Sequence, residues 1–235
     1  SNDINVFIDG VGQKNYVLKG GVSGQDSTSG NPFPQLAIGE YKVITSNYKA
    51  EYDQISSAAV TAVTRSGTND FEGSFFWAHH GERWREPTFG EEQQGTKVPS
   101  KEEQYGASFG GPLIQDRLFF FVTYEAKDID RPRDIRIGDG NFDPDDLTPE
   151  LASFLGTTVA PFEQDMYFGK LTWQAGDAHL VEFSAKKRTE EELTGIGDGP
   201  NTNSYGSSKS NDSTRLDLRW QWTVGDWLND FHLTS

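Results

Sequence analysis

The chain has 235 residues, with 36 Asp and Glu against 21 Lys and Arg, a net charge of -15 and no cysteine. A disulfide framework or thiolate metal site is therefore excluded, and an acid excess without any basic stripe argues against nucleic acid as a partner. Only 34% of the residues are apolar, yet 13% are aromatic and 25 are Gly, an interleaving of large apolar, polar and turn residues that predicts an all-β chain. No run of about 18 apolar residues exists to cross a bilayer as a helix. That says nothing of strands, because a membrane strand needs only about 9–11 residues with alternate ones apolar.

In chain order, Asp9-Gly10 is followed by a long insert rich in Gly, Ser and Pro. The stretch AAVTAVTRSGTNDFEGSFFWAHH, 58–80, then changes character: small and β-branched residues run to Arg65, a polar turn follows, and aromatics crowd 71–77. Beyond Gly67 the alternation of a wall strand recurs. In TRLDLRWQWTV, Leu216, Leu218, Trp220, Trp222 and Val224 share one face, with Arg215, Asp217, Arg219, Gln221 and Thr223 on the other. Strands are expected at about 71–83, 101–110, 118–127, 165–174, 179–189, 213–224 and from 227 onward. The gaps alternate long and short: GGPLIQDR, AGDA and GD are short, whereas 84–100, 128–164 and 190–212 are long and polar. LTWQAGDAHLVEFS and RWQWTVGDWLNDFHLT repeat one hairpin. Tight turns on one rim and long loops on the other describe an outer-membrane β-barrel wall, and a soluble all-β binding module is the competing reading.

Several motifs have ordinary explanations. Gly106-Ala107-Ser108-Phe109-Gly110 fits G-x-S-x-G, but it ends an alternating strand instead of forming a strand-turn-helix elbow. The glycines at 195–199 lack the strand and helix of a phosphate loop. His79 and His80 are neighbours on a strand and point to opposite faces. In DGNFDPDDLTPE, Asp139, Asn141, Asp143, Asp145 and Glu150 have the spacing of a calcium loop, although Pro144 stands where glycine is needed and Asp146 replaces an apolar residue. The alternative there is a solvated acidic loop leading into a short helix, with Thr148 as N-cap, Pro149 first and Gly156 closing it.

NVFIDGV, LAIGEYKVITSNYKAEYDQISSAAVTAVTRSGTNDFEGSFF and SFGGPLIQDRLFFFVTYE, in that order, resemble TonB-dependent outer-membrane transporters, most closely their Oar-like branch. Ala58-Ala59 stand where that family usually has Gly-Gly, and Asp53-Gln54 where Gly or Arg is commoner. The resemblance implies that 1–67 is the C-terminal part of a plug domain, and that 68–235 forms the first seven or so strands of a transmembrane barrel with long extracellular loops. Segments 41–45 and 60–64 should then pair. The chain is expected to be a piece of a longer protein whose TonB box, early plug and remaining strands of an about 22-stranded barrel lie elsewhere. By the same resemblance it belongs in the cell outer membrane, is no enzyme, and takes up a ligand through plug rearrangement driven by the inner-membrane TonB complex. The partners implied are that complex, outer-membrane lipid and a small-molecule or peptide ligand; a role in protein secretion or adhesion is the alternative within the family. Lys14, Asn15, Tyr16, Gln25, Asp26, Asn31 and Phe33 in the insert are the candidate ligand contacts. Packing of the insert against the wall is the rival account.

Overall fold

The computed structural model describes residues 4–13, 30–45, 58–137, 147–197 and 199–235. A small mixed sheet is built from β1 (Ile4–Ile8), β2 (Val11–Gly12), β3 (Ile38–Ile44) and β4 (Ala58–Thr64), in the order β2-β1-β4-β3 with β1 parallel to β4. Asp9 and Gly10, both at positive φ (49° and 83°), make the β1–β2 turn. Two positive φ values match the twist of a two-residue hairpin, and Asp and Gly are residues that tolerate them. The pairing expected for 41–45 with 60–64 is present: Tyr41 faces Ala62 and Val43 faces Val60. Ala59, Ala62 and Thr64 are buried. Small side chains there let neighbouring backbone come close, and the Asp9 N–H donates to the Ala62 carbonyl at 2.9 Å.

The second sheet has seven antiparallel strands in sequence order: β5 (Glu72–Gly81), β6 (Lys101–Ile114), β7 (Leu118–Ile135), β8 (Gly156–Gly176), β9 (His179–Thr194), β10 (Ser207–Val224) and β11 (Trp227–Thr234). Each expected strand has its counterpart, but β7, β8, β9 and β10 run further into the long connections, whereas β5 stops two residues short of its expected end. β7 continues to Ile135 and β8 begins at Gly156, still in register through Arg131↔Ala160 and Arg133↔Thr158. One face of these extensions carries Asp128, Asp130 and Asp134, and the other mixes Arg131 and Arg133 with buried Ile129, Ile135 and Phe162. The arginines interrupt the apolar alternation that marks a half-buried strand, while backbone pairing carries on without it. Most of the described residues in the loop expected at 128–164 thus belong to this hairpin. Its helix α2 (Pro149–Ala152), which follows α1 (Phe89–Gln94) in chain order, starts as expected, with Thr148 accepting from the Leu151 N–H and Pro149 in the first turn. It is capped at Ser153 rather than closed by Gly156, which opens β8 at φ +123°.

The two faces of the large sheet are sorted by chemistry. The face toward the small sheet buries Thr123 and Glu125 of β7, Gln164 and Lys170 of β8, and Lys186, Arg188 and Glu190 of β9. The opposite face exposes Phe75, Trp77, Val122, Leu171, Trp173, Phe183, Leu216 and Trp220. Polar side chains inside and large apolar ones outside invert the order of a water-soluble sandwich. Leu216 and Trp220 are 42% and 40% exposed, so the oily face of β10 does not close into a soluble core. Ser108 of the G-x-S-x-G stretch lies within β6, its Oγ 2.7 Å from Ser74 Oγ, in no elbow.

Candidate functional site

The two sheets meet along a seam of buried polar contacts around a small apolar centre. At its base, Asp9 leaves the β1–β2 turn with its carboxylate accepting from the Thr64 N–H at 2.9 Å and the Thr64 hydroxyl at 2.6 Å. Lys170 comes to the same place from the wall, its Nζ 2.8 Å from Glu182 Oε1, 3.1 Å from Thr64 Oγ1 and 3.8 Å from Asp9 Oδ2. Glu182 also lies 3.4 Å from Arg219, which makes a two-point ion pair with Asp230. Charge therefore alternates from the small sheet across β8 and β9 to β11. A second link joins Arg215 to Gln13 Oε1 at 2.7 Å.

Higher up, residues 30–36 are held by wall side chains acting as surrogate backbone. Gln164 accepts from the Asn31 N–H and donates to the Asn31 carbonyl, both at 2.9 Å. Lys186 donates to the Pro32 carbonyl at 3.2 Å, and Glu125 accepts from the Leu36 N–H at 2.5 Å. Gly30 is required by this approach, because a Cβ there would lie 1.9 Å from Glu190 Oε1. Between these bonds sit Ala37, Phe121 and Phe168, with Phe33 packed against them and its ring 5.3 Å from that of Phe168.

The chain crosses from one sheet to the other at 65–71. Thr172 Oγ1 lies 3.2 Å from Ser66 Oγ, and Asn69 and Asp116 exchange two hydrogen bonds at 2.7 and 2.8 Å. Gly67 is wedged against the wall: a Cβ there would lie 2.2 Å from the Phe120 carbonyl oxygen and 2.8 Å from that of Gly111.

At the opposite rim, the 82–100 connection folds against the β7–β8 hairpin. Thr88 and Glu91 form a capping box on α1, and Glu91 is fully buried in a two-point pair with Arg85, both contacts at 2.6 Å. Those bonds, working against burial and aided by the Thr88 and Val98 N–H groups, bring the Glu91 carboxyl down from 4.5 to about 2. Burial pushes the Asp134 carboxyl up, but the Arg136 guanidinium and donation from Thr157, Thr88 and the Gly90 N–H hold it well below the usual range.

Of the candidate ligand residues, Asn31 and Phe33 lie in the seam, pinned and packed as described, while Lys14, Asn15, Tyr16, Gln25 and Asp26 fall outside the described residues. So do Asp139, Asn141, Asp143 and Asp145 of the calcium-like spacing. Glu150 is in the first turn of α2, and among the described residues no cluster of His, Asp or Glu has metal-binding geometry. Sequence reasoning missed Asp9, Thr64, Lys170 and Glu182 as a group. A lysine and a glutamate on the inward positions of adjacent strands were the available signal, but nothing in the sequence says which turn they meet.

An outer membrane beta barrel domain matches residues 63–135. The TonB-dependent transporter Oar of Myxococcus xanthus is 27% identical over 200 residues, covering 73% of this chain and 18% of that protein. The outer-membrane transporter YddB of Escherichia coli superposes with a TM-score of 0.69 at 13% identity, covering 99% of this chain and 31% of that one. The ferric enterobactin receptor PfeA of Pseudomonas aeruginosa (0.65, 14%, 99% and 32%) and the siderophore receptor PirA of Acinetobacter baumannii (0.65, 17%, 98% and 31%) share the fold. The chain has the fold of part of an outer-membrane β-barrel, spanning about a fifth of the length of its curated relative and a third of the solved structures. Its sequence is similar to a TonB-dependent transporter, Oar, and its place is the outer membrane.

In that setting the outward aromatics fall at two levels. One register row runs Leu118, Trp173, Val181, Trp220, Phe231. With strands tilted by roughly 40°, a line parallel to the membrane slips about 1.2 residues per strand against such a row. Starting from Trp173 on β8, it passes Trp222 on β10 and Trp227 on β11. Three indoles beside the short turns thus share one interface, where a ring can meet acyl chains while its N–H stays wet. Trp77, Tyr105, Tyr124 and Tyr167 form the other belt, with ring centroids 6.2 Å apart for Tyr105–Tyr124 and 4.9 Å for Tyr124–Tyr167.

Proposed function

We propose that the intact protein is a TonB-dependent receptor that imports a ligand, that 1–67 is the C-terminal part of its plug, and that 68–235 begins the barrel wall with the long connections outside the cell. The observation that supports this is the seam. Almost every contact across it is a hydrogen bond or ion pair to a group that water can serve equally well, and the apolar centre is small. A hydrogen bond exchanged for one to water costs only about 0.5–1.5 kcal/mol net, whereas separating a large apolar interface exposes area at about 25 cal/mol per Å². Such an interface holds a resting plug in one register and opens under a modest pull from the inner-membrane TonB complex. Asp9, next to a tight turn and tied to Thr64 and Lys170, is where motion of β1 would first reach the wall.

The test is a single cysteine at Thr64 in the full-length receptor, exposed in living cells to a membrane-impermeant maleimide. Labelling should rise in cells with a working TonB complex and stay low in cells lacking it. Equal labelling in both strains would refute the movement.

A further inference from the structure

The stretch Gly30 to Leu36, GNPFPQL, has no ionisable side chain, yet it lies across a charged part of the inner wall. The wall holds it by its main chain. Gln164 on β8 takes the N–H and the carbonyl of Asn31, Lys186 on β9 the Pro32 carbonyl, and Glu125 on β7 the Leu36 N–H. None of these four hydrogen bonds reads a side chain of the stretch, so what they recognise is peptide backbone of any sequence.

The same wall has bonding capacity that the stretch does not use. Glu125, Met166 and Arg188 form one inward register row on β7, β8 and β9, an acid, an apolar residue and a base, and all three are buried. Glu125 Oε2 has no hydrogen-bond donor. Arg188 Nη2 lies 3.0 Å from Glu190 Oε2 but out of hydrogen-bond alignment, and its Nε, Nη1 and Nη2 all lack an acceptor. Lys186 faces the Pro32 carbonyl and, at 5.3 Å, the Phe33 ring, with no carboxylate in ion-pair distance among the described residues. Buried charges left short of partners are costly. The fold nevertheless makes room for them: a Cβ on Gly106 would lie 2.7 Å from Glu125 Cγ.

We infer that 30–36 is an internal stand-in for the cargo, and that the cargo is a short peptide with charged ends. Once the small sheet moves, the carboxylate of such a peptide lies on Arg188 and Lys186, its ammonium on Glu125 and its main chain on Gln164. This rests on the plug movement proposed above. Strands lie about 4.8 Å apart, so the two charges stand about 10 Å apart along the row, the reach of about three extended residues. The charges also set a direction, from β7 to β9, whereas 30–36 runs from β9 to β7. Gln164 serves either direction, because its amide offers both a donor and an acceptor.

The full-length receptor in detergent is titrated with trialanine while hydrogen exchange is followed on peptides covering 30–37. A peptide that takes the vacated wall keeps the stretch open, so exchange there should rise about tenfold at ten times its dissociation constant, with β10–β11 still protected. N-acetyl-trialanine amide, the same main chain without charges, should give little of that rise, and glycine, a zwitterion too short to span the row, none. Arg188→Gln should make trialanine and its C-terminal amide equivalent, and Glu125→Gln should do the same for trialanine and its N-acetyl form. If neither variant assembles, the comparison of charged and blocked peptides on the unaltered receptor decides alone. No rise with trialanine, or the same rise with the blocked peptide or with glycine, overturns the inference. The exchange assay needs no TonB complex, so it can fail while the Thr64 labelling succeeds, and the reverse.

Discussion

Replacing Lys170 with Met should loosen the small sheet from the wall without unfolding either. Lys170 is almost wholly buried, and its ammonium answers Glu182 at 2.8 Å, the Thr64 hydroxyl at 3.1 Å and Asp9 at 3.8 Å. Removing one member of a buried pair costs about 3–5 kcal/mol when the other is left with nothing. Here neither carboxylate is abandoned: Asp9 keeps two bonds from Thr64, and Glu182 keeps Arg219 at 3.4 Å. The methionine also restores much of the lost packing volume. A loss of about 2–3 kcal/mol follows, or roughly 30- to 150-fold in the opening equilibrium of the contact. Hydrogen exchange measured on peptides covering 4–9 and 58–64 of the full-length receptor should accelerate by that factor, while the β10–β11 pairing keeps its protection. Lys170→Arg, retaining the charge, should recover most of the difference. Unchanged exchange in β4, or equal loosening of β4 and the distant wall strands, would show that the seam is not held at Lys170.

An arginine at Leu218, which faces outward about 10 Å above the Trp222 level on β10 at the strand rise used above, should cost about 2–4 kcal/mol of folding stability in lipid vesicles, and a cost below about 1 kcal/mol would place it at the rim instead. Gly67→Val should abolish assembly, seen as loss of the heat-modifiable band on gels, because the added carbons meet backbone carbonyls that have nowhere to go. The 82–100 connection should respond to acid with a definite sign. The Glu91 carboxyl is lowered from 4.5 to about 2, so its stabilisation is fully present above about 4.5 and disappears as the pH falls through about 2. Proteolysis of that loop should therefore stay slow at pH 5 and accelerate between pH 4 and 2, whereas Glu91→Gln should be cleaved readily at pH 7. Calcium added to the intact receptor should leave its heat stability unchanged if 139–150 is a solvated loop, and a clear rise would restore the calcium reading.

The legible part of this fold was the part where one face of a strand meets a different solvent from the other. Leu216 to Val224 announced β10 because every second side chain is oily, and Gly-Asp announced the turns because those residues accept positive φ. Where β7 and β8 run on past Lys127 and Asp165, Arg131 and Arg133 break the apolar row that Ile129, Ile135 and Phe162 would otherwise make, and the backbone pairs without leaving an unbroken periodic trace. The seam was harder for another reason. Gln164 and Lys186 serve the backbone of 31 and 32, and a backbone carbonyl has no letter in the sequence. Glycine 30 was visible only as one more turn former, although it is small because Glu190 and Gln164 occupy the place of its side chain.

The squeeze at Gly67 bears on how such a receptor is made. With the Phe120 and Gly111 carbonyls closing on that α-carbon, the connection between the small sheet and the large one has no slack through which the small sheet could later be slid into place. The three positions are close in the chain, separated by far less than Asp9 is from Lys170, and contacts of short span form first. On the proposed division into plug and wall, the first hairpins of the large sheet would therefore lay themselves against the exit of the small sheet before any further strands are added around it.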